Sequence, residues 1–367
     1  MKILKNWEVN MSSSFGKNIV VTIFGESHGH YIGVVIDGLP IGTQIDMEKL
    51  NEFMSRRAPG KNRFGTKRKE RDLPKFVAGV QDGKIVANTI CAIIENSDQR
   101  SSDYEQFKDT PRPSHADYVA YVKYGTEMDM RGSGSFSGRL TAPLCIAGGI
   151  AKQILEKKGI EVQSHISSIG GIRDVEIDYA KPDMKALKEC EKKEIPVISE
   201  EVSEKIKQCI EKIRKEENSI GAEIECFATG VPIGLGEPNY DSFDAVLAKL
   251  VFSVPAVRGF SFGAGFDAVS MTGREHNDEY ELNDGVKTTT NNAGGVVGGI
   301  TNGMPIVFKT AIKPTASIGL SQRSFSISEN VEKDLEIKGR HDPCIGIRIL
   351  PVIESVCALT ILDFMEN

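Results

Sequence analysis

Residues 19–36 read IVVTIFGESHGHYIGVVI, and the architecture is worked out from this stretch. Two runs of β-branched and apolar residues, 19–24 and 34–36, flank the hexapeptide Gly25-Glu26-Ser27-His28-Gly29-His30. Short Val/Ile runs bounded by glycine read as buried strands. Glycines on both sides of Ser27 and His28 let the backbone turn sharply and let a ligand approach it closely. A histidine at such a strand end can exchange protons near neutral pH. The plainer reading is a histidine hydrogen-bonded within its own turn. His28 and His30 make a poor metal pair, because alternate strand residues face opposite sides.

Further strand-like runs lie at 75–80, 85–95, 222–229, 257–262, 305–312 and 345–350. Helical periodicity appears at 46–57, where Asp46 can cap and Leu50, Phe53 and Met54 share a face. A second helix is expected at 144–158, stopped by Gly159. A third, at 199–217, sets Val202, Ile206, Cys209, Ile210 and Ile213 on one stripe. Helices at 243–253 and 354–365 complete the set. Strands and helices mix without strict βαβ alternation, which predicts an α+β or a layered β-α-β arrangement. The glycine-rich motifs run from residue 25 to residue 346 with no linker or repeat between them. A site assembled from such distant pieces points to one domain, 11–367, after a short extension at 1–10. A Lys/Glu-rich span at about 181–218 reads as a peripheral insertion without chemistry.

The chain has 367 residues, 40% hydrophobic and 26% charged, enough to bury a large core. It has no run of eighteen apolar residues and its first ten residues lack a signal-peptide core, so neither a membrane span nor secretion is expected. Seven scattered cysteines without CxxC spacing fit a reducing cytoplasm and no zinc site. The net charge of −6 argues against general nucleic-acid binding. Yet between Arg56 and Arg71 eight cations face a single acid, Glu70, and Pro59, Gly60 and Gly65 exclude a helical explanation. Such a concentration reads as a site for a compact anion, or as a solvated basic loop.

Three further motifs carry chemistry. Pro-Arg-Pro-Ser-His-Ala-Asp at 111–117 places Arg112 and His115 in a stiff loop. Arginine suits bidentate contact with carboxylate or phosphate, and a neighbouring histidine can protonate a departing anion. The loop RGSGSFSGRLT at 131–141 offers backbone N–H groups to an oxyanion, although it is neither a P-loop nor a GxGxxG fingerprint. Gly-Arg-His-Asp-Pro-Cys at 339–344 juxtaposes a cation, an imidazole and a carboxylate. Asp342 beside Arg340 has both a structural and a chemical reading, and two ligands alone do not make His341 and Cys344 a metal site.

Taken together, GESHG (25–29), RRAPG (56–60), RPSHAD (112–117), RGSGSFSGR (131–139), SVPAVRG (253–259), NNAGGVVGGITNGMPI (291–306), KPTAS (313–317) and GRHDPC (339–344) closely resemble the chorismate synthase family. The likeness runs from residue 11 to the final helix, apart from the Lys/Glu-rich span. It implies a β-α-β sandwich assembled as a homotetramer. It also implies an anti-1,4-elimination of the 3-phosphate and a C6 hydrogen from 5-enolpyruvylshikimate-3-phosphate, the shikimate-pathway step that yields chorismate. That reaction needs reduced FMN without net redox change. The resemblance implies that His28 protonates or hydrogen-bonds the flavin, that His115 assists phosphate departure, and that Asp342, helped by Arg340, takes a proton from the flavin. It matches Arg57, Arg63, Arg112 and Arg139, with Arg68 in addition, to anion-binding arginines. Ser27, Ser137, Ala256, Lys313 and Ser317 fall on flavin- or substrate-contacting positions. The chain has no recognisable nicotinamide-binding unit, so an external flavin reductase is the expected source of reduced FMN, with NADPH alone as the competing reductant.

The sequence also departs from the family pattern. Ala58 stands for an arginine and Ser114 for a glycine, and Ser133, Ser135, Phe136, Gly138 and Leu140 replace Gly, Arg, Ser, Ala and Glu. The rival reading is a non-catalytic flavin- or phosphate-binding homologue with an altered 131–141 loop.

Overall fold

The structure is a computed structural model, and it describes residues 13–60, 62–65, 70–97, 106–282, 285–337 and 342–366. The expected extension at 1–10 and the candidates Arg68 and Arg340 lie outside the described residues.

In chain order the first strands are β1 (Ser14–Phe15), β2 (Val20–Gly25), β3 (Tyr31–Asp37) and β4 (Lys75–Ala78), then a ribbon of β5 (Val80–Gln81) with β6 (Lys84–Ile85), then β7 (Thr89–Glu95). They build an antiparallel sheet in the order β1-β2-β3-β7-β4. Its register pairs Ile32 with Ile94, Val34 with Ala92 and Ile36 with Ile90, all buried, so the period-2 alternation puts one apolar face inward. The run expected at 85–95 is two strands, parted at 86–88.

The second sheet uses β8 (Glu161–Ile169), β9 (Ile172–Arg173), β10 (Ala222–Thr229) and β11 (Val257–Phe262). After the ribbons β12 (Tyr280–Leu282) with β13 (Val286–Thr288) and β14 (Val296–Val297) with β15 (Ile300–Thr301) comes β16 (Ile306–Ile312). The order is β11-β16-β10-β8-β9, again antiparallel. A hairpin of β17 (Gln322–Ser326) and β18 (Val331–Leu335) follows.

The α-helices number eight among the described residues. They are α1 (Met47–Arg57), α2 (Asp117–Tyr124), α3 (Thr141–Lys157), α4 (Met184–Cys190), α5 (Glu200–Lys215), α6 (Phe243–Ser253), the single turn α7 (Gly273–His276) and α8 (Gly346–Met365). Helix α3 packs on β2, β3 and β7, α8 packs on β8 and β10, and the two helices pack on each other. This is the expected β-α-β sandwich. Both helices are apolar nearly all round, as burial between two sheets requires. Gly148 makes the α3–α8 approach possible, since a Cβ there would stand 2.1 Å from the Ser355 Cβ.

The layer contains one buried charge cluster. Glu354 of α8 accepts from Arg56 at 2.7 Å, from Ser164 at 2.8 Å and from Lys152, so it ties α1, α3 and β8 together. Burial alone would raise its pKa, but the cations outweigh that and bring it down to about 2.

One expectation fails here. Residues 345–350 are not a strand but the start of α8, which runs through Pro351. The proline is only the sixth helical residue, where it removes one hydrogen bond near the helix start. The 181–218 span forms α4 and α5 and buries Leu187, Ile195, Val197, Ile206 and Ile210; the last four belong to the main core.

Candidate active site

A cavity of about 890 Å³ opens where α1, the 112–116 loop, the 131–139 loop, the segment before β11, the 313–317 segment and the start of α8 meet. It brings together Arg57, Arg112, His115, Ser137, Arg139, Ala256, Lys313, Ser317 and Asp342, drawn from residue 57 to residue 342 of the sequence. Its volume lies toward the upper end of the roughly 300–1,000 Å³ of small-molecule sites.

The first wall is built on a shared carboxylate. Arg57 donates from Nη1 to Asp72 Oδ2 at 2.6 Å, from Nε to Thr141 Oγ1 at 3.1 Å and from Nη2 to the Gly138 carbonyl at 2.8 Å. Arg139 bonds the other oxygen of Asp72 and reaches Asn96 Oδ1 at 2.9 Å. Burial raises the pKa of Asp72, but the two guanidinia overcome that and hold it below the ordinary carboxylate value. Arg139 Nη2 is left buried with no hydrogen-bond partner among the described residues. An unpaired buried guanidinium nitrogen favours an incoming anion.

The second wall is organised around Arg112 and His115. Arg112 forks onto Asp117, with Nε to Oδ2 at 2.7 Å and Nη2 to Oδ1 at 2.8 Å, and its Nη1 reaches Ser317 at 3.1 Å. Its charge is thus largely matched by Asp117. His115 Nδ1 lies 2.8 Å from Asp117 Oδ1. Burial pushes the His115 pKa down, the hydrogen bond to Asp117 opposes this and the Arg112 charge adds to it, leaving the imidazole below its ordinary value. Asp117 stays well below the usual carboxylate range, since Arg112 and His115 outweigh its burial.

The remaining residues close the space. Lys313 donates to the Ser114 carbonyl at 2.5 Å, and its pKa is lowered by burial and by the nearby Arg258. Asp342 pairs with Arg348 at 3.0 Å. Ser137 caps the turn of Arg139 at 3.3 Å. Three cavity-lining residues with side chains, Ser114 (φ 58°), Ser133 (φ 78°) and Ala256 (φ 74°), sit in the left-handed region. Each costs about 1–3 kcal/mol, and strain of this kind gathers at functional sites.

Not every expected residue is brought to the cavity. His28 is buried directly behind Gly132, which lines the wall; a Cβ on that glycine would stand 1.6 Å from His28 Nδ1. Ser27 lies alongside, its buried Oγ without a hydrogen-bond partner among the described residues. Arg63 is exposed, pairs with Glu194 at 2.9 Å and does not line the cavity. Sequence reasoning missed Asp72 because the basic run was counted only to Arg71; the acid that joins Arg57 to Arg139 comes next. Asp117 ends the 111–117 motif, but no spacing rule marks it as a partner of both Arg112 and His115. Among the described residues no group of three His, Cys, Asp or Glu could hold a metal ion, and no helix is long and apolar enough to cross a membrane.

Comparison with known proteins adds an independent line. The family model described as chorismate synthase matches residues 19–365. The chain is 41% identical to the chorismate synthase of Lancefieldella parvula, covering 97% of both chains. It is 43% identical to that of Christiangramia forsetii, over 96% of this chain and 97% of the relative. To that of Thermococcus kodakarensis it is 42% identical, over 95% and 96%. Among solved structures, a crystal structure of chorismate synthase superposes with a TM-score of 0.76 at 25% identity, covering 96% of this chain and 92% of the other.

Proposed function

We propose, from the premise that this chain belongs to the chorismate synthase family, that its cavity is where 5-enolpyruvylshikimate-3-phosphate loses phosphate to give chorismate. The activity is that of a carbon–oxygen lyase acting on a phosphate ester. One observation carries the site assignment: His115, Asp342 and the cations Arg57, Arg112, Arg139 and Lys313 line one cavity although they are scattered along the chain. A substrate with two carboxylates and a phosphate needs such cations around it in a water-poor site.

Within that reading His115 gives a proton to the departing phosphate oxygen, which needs the charged imidazole. The ligand-free pKa is low, and a phosphate dianion beside the ring raises it, so the substrate itself brings the acid into its working state. Arg139 Nη2, without a partner among the described residues, and Lys313, whose ammonium donates to the Ser114 carbonyl and keeps further hydrogens, are the groups that take the anion, while Arg57 and Arg112 are held rigid by Asp72 and Asp117. Asp342, steadied by Arg348, is the carboxylate that accepts a proton.

Reduced FMN is the proposed cofactor. The buried Arg139 Nη2, without a partner among the described residues, suits an anionic group, and Ser137, Ala256, Lys313 and Ser317 are the cavity residues that would hold it, with His28 behind Gly132. When bound, reduced flavin supplies the electron chemistry of carbon–oxygen cleavage. An external reductase is proposed to deliver it, a cytoplasmic location fits the seven free cysteines, and a homotetramer would cover exposed apolar side chains such as Phe266, Val269, Tyr280 and Leu282.

The test is anaerobic incubation of the protein with reduced FMN and 5-enolpyruvylshikimate-3-phosphate, following chorismate absorbance. Folded protein that binds flavin without turnover would revive the non-catalytic reading. NADPH offered as sole reductant under air decides between self-reduction and an external supply. His115→Ala is expected to lower the rate roughly 10²–10⁴-fold while flavin binding persists.

A further inference from the structure

We propose that Ser133 is a positioning residue for His115: its hydroxyl, held by Arg112, donates to the imidazole Nε2 and fixes the ring between itself and Asp117. The proposal rests on the reading of His115 as the acid for phosphate.

The hydrogen bookkeeping leaves one consistent arrangement. Ser133 Oγ lies 3.0 Å from Arg112 Nη2 and 3.2 Å from His115 Nε2. A guanidinium only donates, so Oγ accepts from Arg112 and its own hydrogen is available to Nε2. Across the ring, Nδ1 faces Asp117 Oδ1 at 2.8 Å, and a carboxylate only accepts, so Nδ1 carries a hydrogen. Arg112 Nη2 also comes within 3.1 Å of Nδ1, but its two hydrogens already go to Asp117 Oδ1 and Ser133 Oγ. In the ligand-free protein the neutral imidazole is therefore the Nδ1–H tautomer, with Nε2, the nitrogen left to take up the acid's proton, accepting from Ser133.

The backbone supplies a second, independent observation. Ser133 holds φ at 78° between Gly132 at 60° and Gly134 at 53°, a left-handed stretch in which glycine is at ease and a residue with a Cβ is not. It also stands where the family pattern has glycine. A strained serine whose buried hydroxyl touches both the arginine and the histidine of the site is present for that hydroxyl.

A donor to Nε2 stabilises the neutral ring, so removing it raises the affinity of His115 for a proton. The charged groups that act on the ring are Asp117 and Arg112 from its own segment and Lys313 from across the cavity; changing Ser133 keeps all three charges and takes from Arg112 only the acceptor of one Nη2 hydrogen.

The experiment uses full-length, ligand-free protein labelled with ¹⁵N-histidine, with the His115 signals identified by their loss in His115→Gln. The wild type is expected to show the Nδ1–H tautomer. In Ser133→Ala and Ser133→Gly the His115 titration should move up by roughly half to one pH unit, the size of one ordinary hydrogen bond. Ser133→Thr, which restores the hydroxyl, should return it. Thermal stability should divide the variants differently, because only glycine relieves the left-handed backbone. An unchanged titration in both Ala and Gly variants, or a shift that follows melting temperature instead of the hydroxyl, overturns the proposal. The readout needs no turnover, so an inactive wild type would sink the proposed lyase activity and leave this result standing.

Discussion

Gly132 and His28 occupy each other's only available space: the glycine Cα faces the imidazole so closely that a Cβ would stand 1.6 Å from Nδ1. His28 is 2% exposed, so it has no solvent to retreat into. Gly132→Ala must therefore displace the ring or the 131–136 turn, and it also adds a side chain at φ 60°. Overpacking of this kind costs about 1–3 kcal/mol. Denaturant unfolding and chorismate formation should both fall; a variant matching the wild type in both would show that the wall has slack.

Asp72 bonds two buried guanidinia at once, and Glu70 lies 3.6 Å from Arg139 Nε. Asp72→Asn keeps the shape and removes the charge, leaving Arg57 without its carboxylate and Arg139 with Glu70 alone at 3.6 Å. Breaking a buried pair in this way costs about 3–5 kcal/mol. The folded pKa of Asp72 is depressed, so its stabilisation is present above the ordinary carboxylate range and is lost as pH falls through the lowered value. Urea titrations at neutral and acid pH should show a wild-type advantage that shrinks on acidification; an advantage independent of pH would contradict the ion-pair account.

Anion binding should draw in a proton. Ligand-free His115 titrates below its ordinary value, and a bound phosphate dianion raises it, so between the two values binding takes up hydrogen ions. Calorimetry of phosphate or substrate binding in buffers of differing ionisation enthalpy measures the uptake, and His115→Gln should abolish it. Uptake that persists in the variant would assign the proton to another group.

The second sheet carries its own pH dependence. His165 is fully buried between Asp174, at 3.3 Å, and Glu225, at 3.0 Å, and Tyr179 donates to Glu225 at 2.6 Å. Burial lowers the His165 pKa, but the two carboxylates outweigh it and raise the value above the ordinary one. The stabilisation is thus complete below the ordinary histidine pKa and is lost as pH rises through the raised folded value. Melting temperatures of wild type and His165→Gln should converge toward alkaline pH; curves that stay parallel would show that His165 is not charged in the folded protein.

Several elements were legible because local chemistry and burial agree. Asp46 caps α1 by accepting from Lys49 N at 3.0 Å, and Ser199 caps α5 by accepting from Val202 N at 3.3 Å. The expected bounds of β10, β11 and α6 coincide with the observed ones. The largely apolar run at 345–350 misled because so short a run has no clear period of its own: mostly buried, it satisfies a strand or a helix equally, and the α3–α8 contact decides for the helix.

What the chain determined by itself was the set of segments and their chemistry: short β-branched runs, capped amphipathic helices, and glycine-bracketed loops bearing Arg, His and Asp. The tertiary structure alone decided what each charge does. Arg57 and Arg139 share Asp72 from 15 and 67 positions away, Arg112 is locked by Asp117, and Arg63 turns outward to Glu194. A buried charge must find its counter-charge within a few ångströms in space, and distance along the chain does not encode that.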